Sequence, residues 1–358
     1  MDQDLRPQHV HLVGSVGLPG PEEVFRTAGR LLGERLKRIP DGEPGGRRLW
    51  ISWQYPLLRS YPFLRPDPSG AVRPTNKFPL LCLAEGATAK DVSFGELGYA
   101  REARASYLDF LAARKRGDLP KTARFQICLP TPLAVTHSFC SKDLDVIEPA
   151  YEVAMLREVK AICRVLPHRD LCLQWDVCNE MVQWDGQPTN SVPVHTKTNE
   201  ELVERLVRLC AAVPADVELG IHLCYGDFGA RHFVEPRDAS KMVEFANAIA
   251  AAAKHRLAYI HMPIPAQHKD DAFYRPLAGL KLKRGTELFL GLVHGADGVE
   301  GTQERIRTAR RFVKNFGIAT ECGMARARTP QVVEGLLRIH AACSENATRK
   351  PKGSRKKV

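Results

Sequence analysis

Leu219-Gly220-Ile221-His222-Leu223-Cys224-Tyr225 reads as a β-strand, and its alternation decides how the chain is understood. Successive side chains of a strand point to opposite faces, so His222 and Cys224 share one face while Ile221 and Leu223 share the other. Two metal-type donors therefore project together. About a hundred residues later, Phe316-Gly317-Ile318-Ala319-Thr320-Glu321-Cys322 is another apolar run, and its cysteine is placed to supply a third donor from the end of a second strand. One imidazole and two thiolates suit zinc, and a catalytic zinc keeps one position open for substrate. The opposing reading is two buried cysteines and a core histidine, since free Cys is among the most buried residue types.

Working outward from this stretch, further apolar runs fall at residues 9–15, 36–43, 125–131, 171–177, 257–261, 287–294 and 317–322. With 219–225 they make eight expected strands. Most are separated by helical periodicity. The first helix opens on Pro21-Glu22-Glu23, with proline at its first position and acids in its first turn. Others are expected over 96–115, 148–166 and 301–316. Thr198-Asn199-Glu200-Glu201 has the form of a capping box, Asp238 heads another helix, and Thr329-Pro330 caps the last. Residues 44–92, rich in Gly, Pro and aromatics, form an insertion after the second strand that serves as a lid. The expected fold is α/β, a (β/α)8 TIM barrel with that insertion, over residues 1–343 as a single domain. A doubly wound open sheet is the alternative; no Gly-x-Gly-x-x-Gly follows the first strand, which weighs against a dinucleotide fold.

The chain has 358 residues and 44% hydrophobic content, ordinary for a soluble protein. Its apolar runs fall short of the roughly 18 residues of a membrane span, and its first residues resemble no signal peptide, so a cytoplasmic protein without a membrane partner is expected. Ten cysteines scattered through strands and helices fit thiols in a reducing compartment better than disulfides. Of the net charge of +11, a tail over 344–358 with six basic residues and one acid carries +5. That tail is expected to be disordered and solvated. Nothing else in the chain points to nucleic acid.

In TIM barrels the active site lies at the C-terminal ends of the strands. Those ends carry Gly14-Ser15, Asp41 and Glu43, Thr131, Asp176, His222 and Cys224, His261, His294 and Cys322. The strand starts are mostly apolar or basic. Such one-sided concentration of acids, histidines and cysteines favours the functional reading of His222, Cys224 and Cys322.

The strings VGS (13–15), DGE (41–43), LQWD (173–176), HLCYGDFG (222–229), GLVHGADG (291–298) and TECGMARAR (320–328) together resemble, in order, the C-terminal catalytic barrel of cobalamin-independent methionine synthase. The resemblance implies a zinc cofactor held by His222, Cys224 and Cys322 that activates a small homocysteine-like thiol toward an alkyl donor. It implies Gly14 and Ser15 against the substrate carboxylate, Glu43 and Asp176 on its ammonium, and His294 in proton transfer. Tyr225 or Asp227 is expected to orient a ligand. The family's fourth zinc ligand, a glutamate, falls on His261. Either His261 ligates, leaving a neutral site of two thiolates and two imidazoles, or it contacts substrate and zinc keeps three protein ligands. The family's N-terminal barrel, which helps hold folate, has no counterpart, so the donor is open and includes a protein-borne carrier. Two other readings are a barrel lyase or decarboxylase of the uroporphyrinogen decarboxylase type and a zinc-stabilised binding protein.

The remaining polar residues read as ordinary structure. His137, His195, His232 and His268 are expected in exposed loops, Asp270-Asp271 as a helix start, and Gly42, Gly45 and Gly46 with Arg47 and Arg48 as a tight turn or an anion cradle.

Overall fold

Strands buried on both faces read as near-continuous apolar runs, and these pair in parallel. The structure is a computed structural model that describes residues 7–73, 77–189, 197–227, 229 and 231–345. Its strands are β1 (Arg38–Pro40), β2 (Leu64–Pro66), β3 (Leu81–Leu83), β4 (Arg124–Pro130), β5 (Leu171–Val177), β6 (Glu218–Leu223), β7 (Leu257–Pro263), β8 (Glu287–Val293) and β9 (Gly317–Thr320). Seven form one parallel sheet in the order β1-β4-β5-β6-β7-β8-β9. All of β5 is buried.

The expected first strand, 9–15, pairs less than the sequence suggests. It forms only isolated parallel bridges, from Val10 to Leu36 and to Ile318. Val10 N donates to Arg35 O at 3.0 Å, His11 N to Ile318 O at 2.9 Å, and Ile318 N to His9 O at 3.1 Å. With so few residues paired on each side, no ladder develops. Yet one segment can touch both edges of a sheet only if that sheet curls back on itself. The fold is therefore mixed α/β with a curled parallel sheet of seven strands.

The helices are α1 (Pro21–Leu32), α2 (Gln54–Arg59), α3 (Tyr99–Arg116), α4 (Pro132–Phe139), α5 (Leu144–Val165), α6 (Asn179–Asp185), α7 (Asn199–Ala211), α8 (Ser240–Ala252), α9 (Asp271–Tyr274), α10 (Gly298–Ala309) and α11 (Pro330–Cys343). Local chemistry sets several starts. Pro21 opens α1, which buries Val24, Phe25, Ala28 and Leu32. Thr198 and Glu201 form the capping box of α7. Thr329 caps α11 and Asp270 caps α9. Helix α10 begins and ends earlier than the expected 301–316, and Asp297 at its start holds Arg305 with two hydrogen bonds of 2.7 Å. Helices α4 and α6 are additions to the sequence reading and follow directly on the ends of β4 and β5.

The insertion contains α2 and the antiparallel pair β2–β3. The tail expected over 344–358 lies, after Glu345, outside the described residues, as does His195. All ten cysteines are free thiols, nine of them buried and Cys128 half-buried.

At the N-terminal end of the sheet, Arg38 is 6% exposed. It donates to Glu218 at 2.6 Å and to Glu287 at 2.9 Å. Lys37 joins Glu287 at 2.5 Å and Arg124 joins Glu218 at 3.1 Å. Arg38 and Lys37 hold the Glu287 carboxyl below its ordinary range despite burial.

Candidate metal centre and substrate cavity

Strand β6 ends at Leu223, but Cys224 N still donates to Val177 O at 3.0 Å, so its side chain keeps the alternation and shares the face of His222. Ile221 and Leu223 fill the core on the other face. The loop after β9 brings Cys322 to them. Donor atoms of His222, Cys224 and Cys322 lie within 4.8 Å of one another, all buried. The two sulphurs are 3.6 Å apart, and Cys322 Sγ is 3.7 Å from His222 Nε2.

His261, placed with these ligands by the resemblance, stands behind His222. Its Nε2 is 3.0 Å from Thr320 O, and its Nδ1 is 2.7 Å from His222 Nδ1. A carbonyl only accepts, so His261 Nε2 carries a proton. Burial lowers the pKa of both rings, that of His261 to about 3, and keeps them neutral. His261 Nδ1 is then a lone pair, His222 Nδ1 donates to it, and the lone pair of His222 Nε2 faces the two thiols. This relay fixes the tautomer a metal ligand needs.

With no cation between them, Cys224 and Cys322 are both held protonated, although the Cys322 contact alone works the other way on Cys224. Cys224 is pushed well up, first by the hydrogen-bonded Cys178 thiol and then by burial, and Cys322 is pushed up by Cys224 and by burial. A bound divalent cation inverts this order and favours thiolates. Arg326 is already in place beside them: its Nη2 lies 3.1 Å from Cys322 Sγ, and its Nε donates to Asp227 O at 2.8 Å. Asp227 thus acts through Arg326, whereas Tyr225 turns away and donates to Asp185 at 2.8 Å.

One cavity joins the triplet to Gly14, Ser15, Glu43 and Asp176. Glu43 sits in left-handed backbone conformation, φ 51°, after Gly42. A Cβ on Gly14 would stand 3.1 Å from Glu43 Oε1, so glycine leaves that carboxylate room. A Cβ on Gly323 would stand 2.2 Å from Ser15 Oγ. That hydroxyl is buried and has no protein partner. Burial pushes the Asp176 carboxyl up to about 7, against hydrogen bonds from Gln174 at 2.7 Å and the Trp50 indole at 3.2 Å. Glu43 is pushed up by burial and by Asp176.

His294 does not line this cavity. Its Nε2 donates to Ile264 O at 2.8 Å, and its Nδ1 is 3.8 Å from Glu321. Glu321 also lies 3.3 Å from His232. Burial works against charge on His232, yet Glu235 and Glu321 raise its pKa to about 10. His232 and His137 are both corrected from exposed loop residues: His137 is on α4, fully buried, 3.2 Å from Glu148. His268 stacks on Phe273, with ring centroids 4.1 Å apart. Asp41 is consumed by Arg47 and Ser106, each at 2.7 Å, and Arg48 by the carbonyls of Ala325 and Arg328, each at 3.2 Å. No anion cradle remains there.

Sequence reasoning gave Trp50, Arg326 and Cys178 no place in the site. All three line the cavity. Cys178 carried a usable signal, since it follows Asp176 by two residues.

A curled parallel α/β sheet with its donors at the strand C-termini defines the class of fold. Among solved structures, this chain matches a B12-independent methionine synthase from Shewanella sp. W3-18-1 in complex with selenomethionine, with TM-score 0.58 and 16% identity over 93% of this chain and 96% of that one. It also matches a putative vitamin-B12 independent methionine synthase from Listeria monocytogenes, with TM-score 0.52 and 13% identity over 94% and 96% of the two chains. No family description and no curated protein matches the chain in sequence. The fold is methionine synthase-like. No helix among the described residues is long and apolar enough to cross a membrane.

Proposed function

We propose that this chain is a zinc-dependent transferase that moves a methyl or other alkyl group onto the sulphur of a small, homocysteine-like thiol. The observation that carries the reading is the convergence of His222, Cys224 and Cys322 in the cavity that also holds Ser15, Glu43 and Asp176. The donor set fits the metal, being one imidazole with its lone pair inward and two thiols a sulphur contact apart. Zinc there supplies the charge that keeps a thiol deprotonated at neutral pH.

The chain's own groups do the rest. Glu43 and Asp176, two carboxyls held up by burial, take a substrate ammonium between them, which relieves their mutual repulsion. Ser15 Oγ, free of protein partners, donates to the substrate carboxylate beside Gly14. His261 orients His222, and Asp227 with Arg326 sets Cys322. His294, neutral and with Nδ1 unprotonated, handles a proton on the donor side. The donor is a free or protein-borne alkyl carrier. We further infer that the curled sheet is a (β/α)8 barrel whose first stave is 9–15, with 44–92 covering the cavity. A decarboxylase reading gives the triplet no task, and no observation here favours it.

Metal content tests the proposal. Wild-type protein is expected to hold near one zinc per chain, Cys322→Ser to lose it, and cobalt-substituted protein to change spectrum as homocysteine is added. Metal-free wild type, or a metal blind to every thiol, overturns the reading.

A further inference from the structure

Gln174 is wholly buried and stands two residues before Asp176 on β5, so alternation puts both side chains on one face, the amide a layer nearer the strand starts. The two sides of that amide meet different groups. Nε2 is 2.6 Å from Val13 O and 2.7 Å from Asp176 Oδ1. A carbonyl only accepts, so the NH2 faces this way and cannot be exchanged with the oxygen. Oε1 then accepts from the Tyr259 hydroxyl at 2.8 Å and from His11 Nε2 at 3.0 Å. Strand register makes the tyrosine contact possible. Gln174 pairs with Gly220, and Gly220 with Tyr259, on the successive strands β5, β6 and β7. A Cβ on Gly220 would stand 2.0 Å from the Tyr259 ring, so the glycine is the gap through which the tyrosine reaches across a whole strand.

Val13 leads into Gly14-Ser15, and all three line the cavity with Asp176. One amide therefore ties the main chain before the proposed carboxylate subsite to the side chain of the proposed ammonium subsite. We propose that Gln174 is a positioning residue that fixes the spacing of these two subsites, and so selects thiols with an α-amino acid head over thiols carrying an amine or a carboxylate alone. The inference rests on the substrate orientation proposed above. Gln174 does not itself line the cavity; it acts through Val13 and Asp176. Turning the amide would set its oxygen against Val13 O and its NH2 against the Tyr259 and His11 donors, and unpaired polar groups are costly in a buried site. The spacing is thus held before substrate arrives, which lowers the ordering cost of binding. Once one end of a matching ligand is seated, the other end binds as an intramolecular event. A softer spacing weakens that advantage while leaving each subsite its own groups.

Four thiols test this without reference to turnover: homocysteine, γ-mercaptobutyrate without the amine, mercaptopropylamine without the carboxylate, and propanethiol with neither. Their affinities for zinc-loaded protein, measured by calorimetry, form a cycle. In the wild type, the affinity gained from the amine is expected to be roughly tenfold larger with the carboxylate present than without it. In Gln174→Leu that ratio is expected to fall to near unity. Because this substitution strips partners from buried groups, Tyr259→Phe is measured beside it. That change removes the hydroxyl holding the amide and alters no residue lining the cavity, and the ratio is expected to fall about threefold. A merely structural role would weaken all four thiols alike and leave the ratio where it was. An unchanged ratio in Gln174→Leu or, where that variant fails to fold, in Tyr259→Phe overturns the role of Gln174, as does a ratio near unity in the wild type. Wild-type protein that binds none of the four overturns the transferase reading instead.

Discussion

Arg38 and Glu43 are five residues apart in sequence and stand at opposite ends of the curled sheet, and their buried charge meets different surroundings. Arg38 has Glu218 and Glu287 within hydrogen-bonding distance, and each of those acids has a second cation. Glu43 has another acid, Asp176, for its strongest charged neighbour, with Arg47 and Arg326 only partly offsetting it, and an unpartnered serine hydroxyl lies in the same cavity. One end is electrostatically complete. The other is complementary to something the chain does not contain, and holding it ready costs stability. In TIM barrels the strand starts bear on stability and the strand ends on chemistry, and the proposed barrel would divide its charges in the same way.

Substitutions at the two ends should separate along this line. The largest effect is expected at the complete end: Arg38→Met leaves two partly buried carboxylates facing each other and should destabilise the fold by about 3 kcal/mol. Urea unfolding measures that loss, and zinc content per folded chain should not change. Next in size, His261→Phe removes the group that fixes the His222 tautomer while leaving the triplet itself. Zinc affinity, read by chelator competition, should fall roughly 10- to 100-fold with little change in unfolding free energy. A complete loss of zinc would instead make His261 a ligand.

The smallest effect has the opposite sign. Because burial raises the Asp176 carboxyl from 3.8 to about 7, the stability it contributes in its protonated form is lost as pH rises across that interval. Asp176→Asn should therefore stabilise the protein at pH 8 by on the order of 1 kcal/mol, with the gain fading toward pH 4. Denaturant titrations at the two pH values check this. The same variant should bind amine-bearing thiols more weakly, and a destabilised Asp176→Asn at pH 8 would contradict the comparison.

What could be read in advance follows the range of the interactions involved. Strand β5 was legible over 171–177 because both of its faces are buried and the run is apolar throughout. The starts of α7 and α11 were legible because their capping groups are neighbours in sequence. Helices α4 and α6 were not, being too short to show a period, although Thr131-Pro132 opens α4 with the same local signal as Thr329-Pro330 opens α11. The candidate metal triplet was visible as His222-x-Cys224 and Cys322 because alternation puts the first two on one face. The partners that complete the cavity were hidden by distance: Trp50 reaches Asp176 across 126 residues, and Arg326 reaches Asp227 across 99. Composition alone did not distinguish Cys178 among ten cysteines. His137 was misplaced because its partner, Glu148, lies on the following helix.

The seam at Val10 carries a consequence for how the molecule is made. Val10 meets Leu36 on one side, a neighbour synthesised soon after it, and Ile318 on the other, about 300 residues later. On the ribosome, the segment at Val10 would wait half-paired until Ile318 is translated, exposing an apolar edge throughout. Closure of so distant a contact is slow. Chaperone dependence and aggregation of nascent chains should therefore concentrate in the interval before β9 emerges, and a chain released short of Ile318 should remain open at this seam.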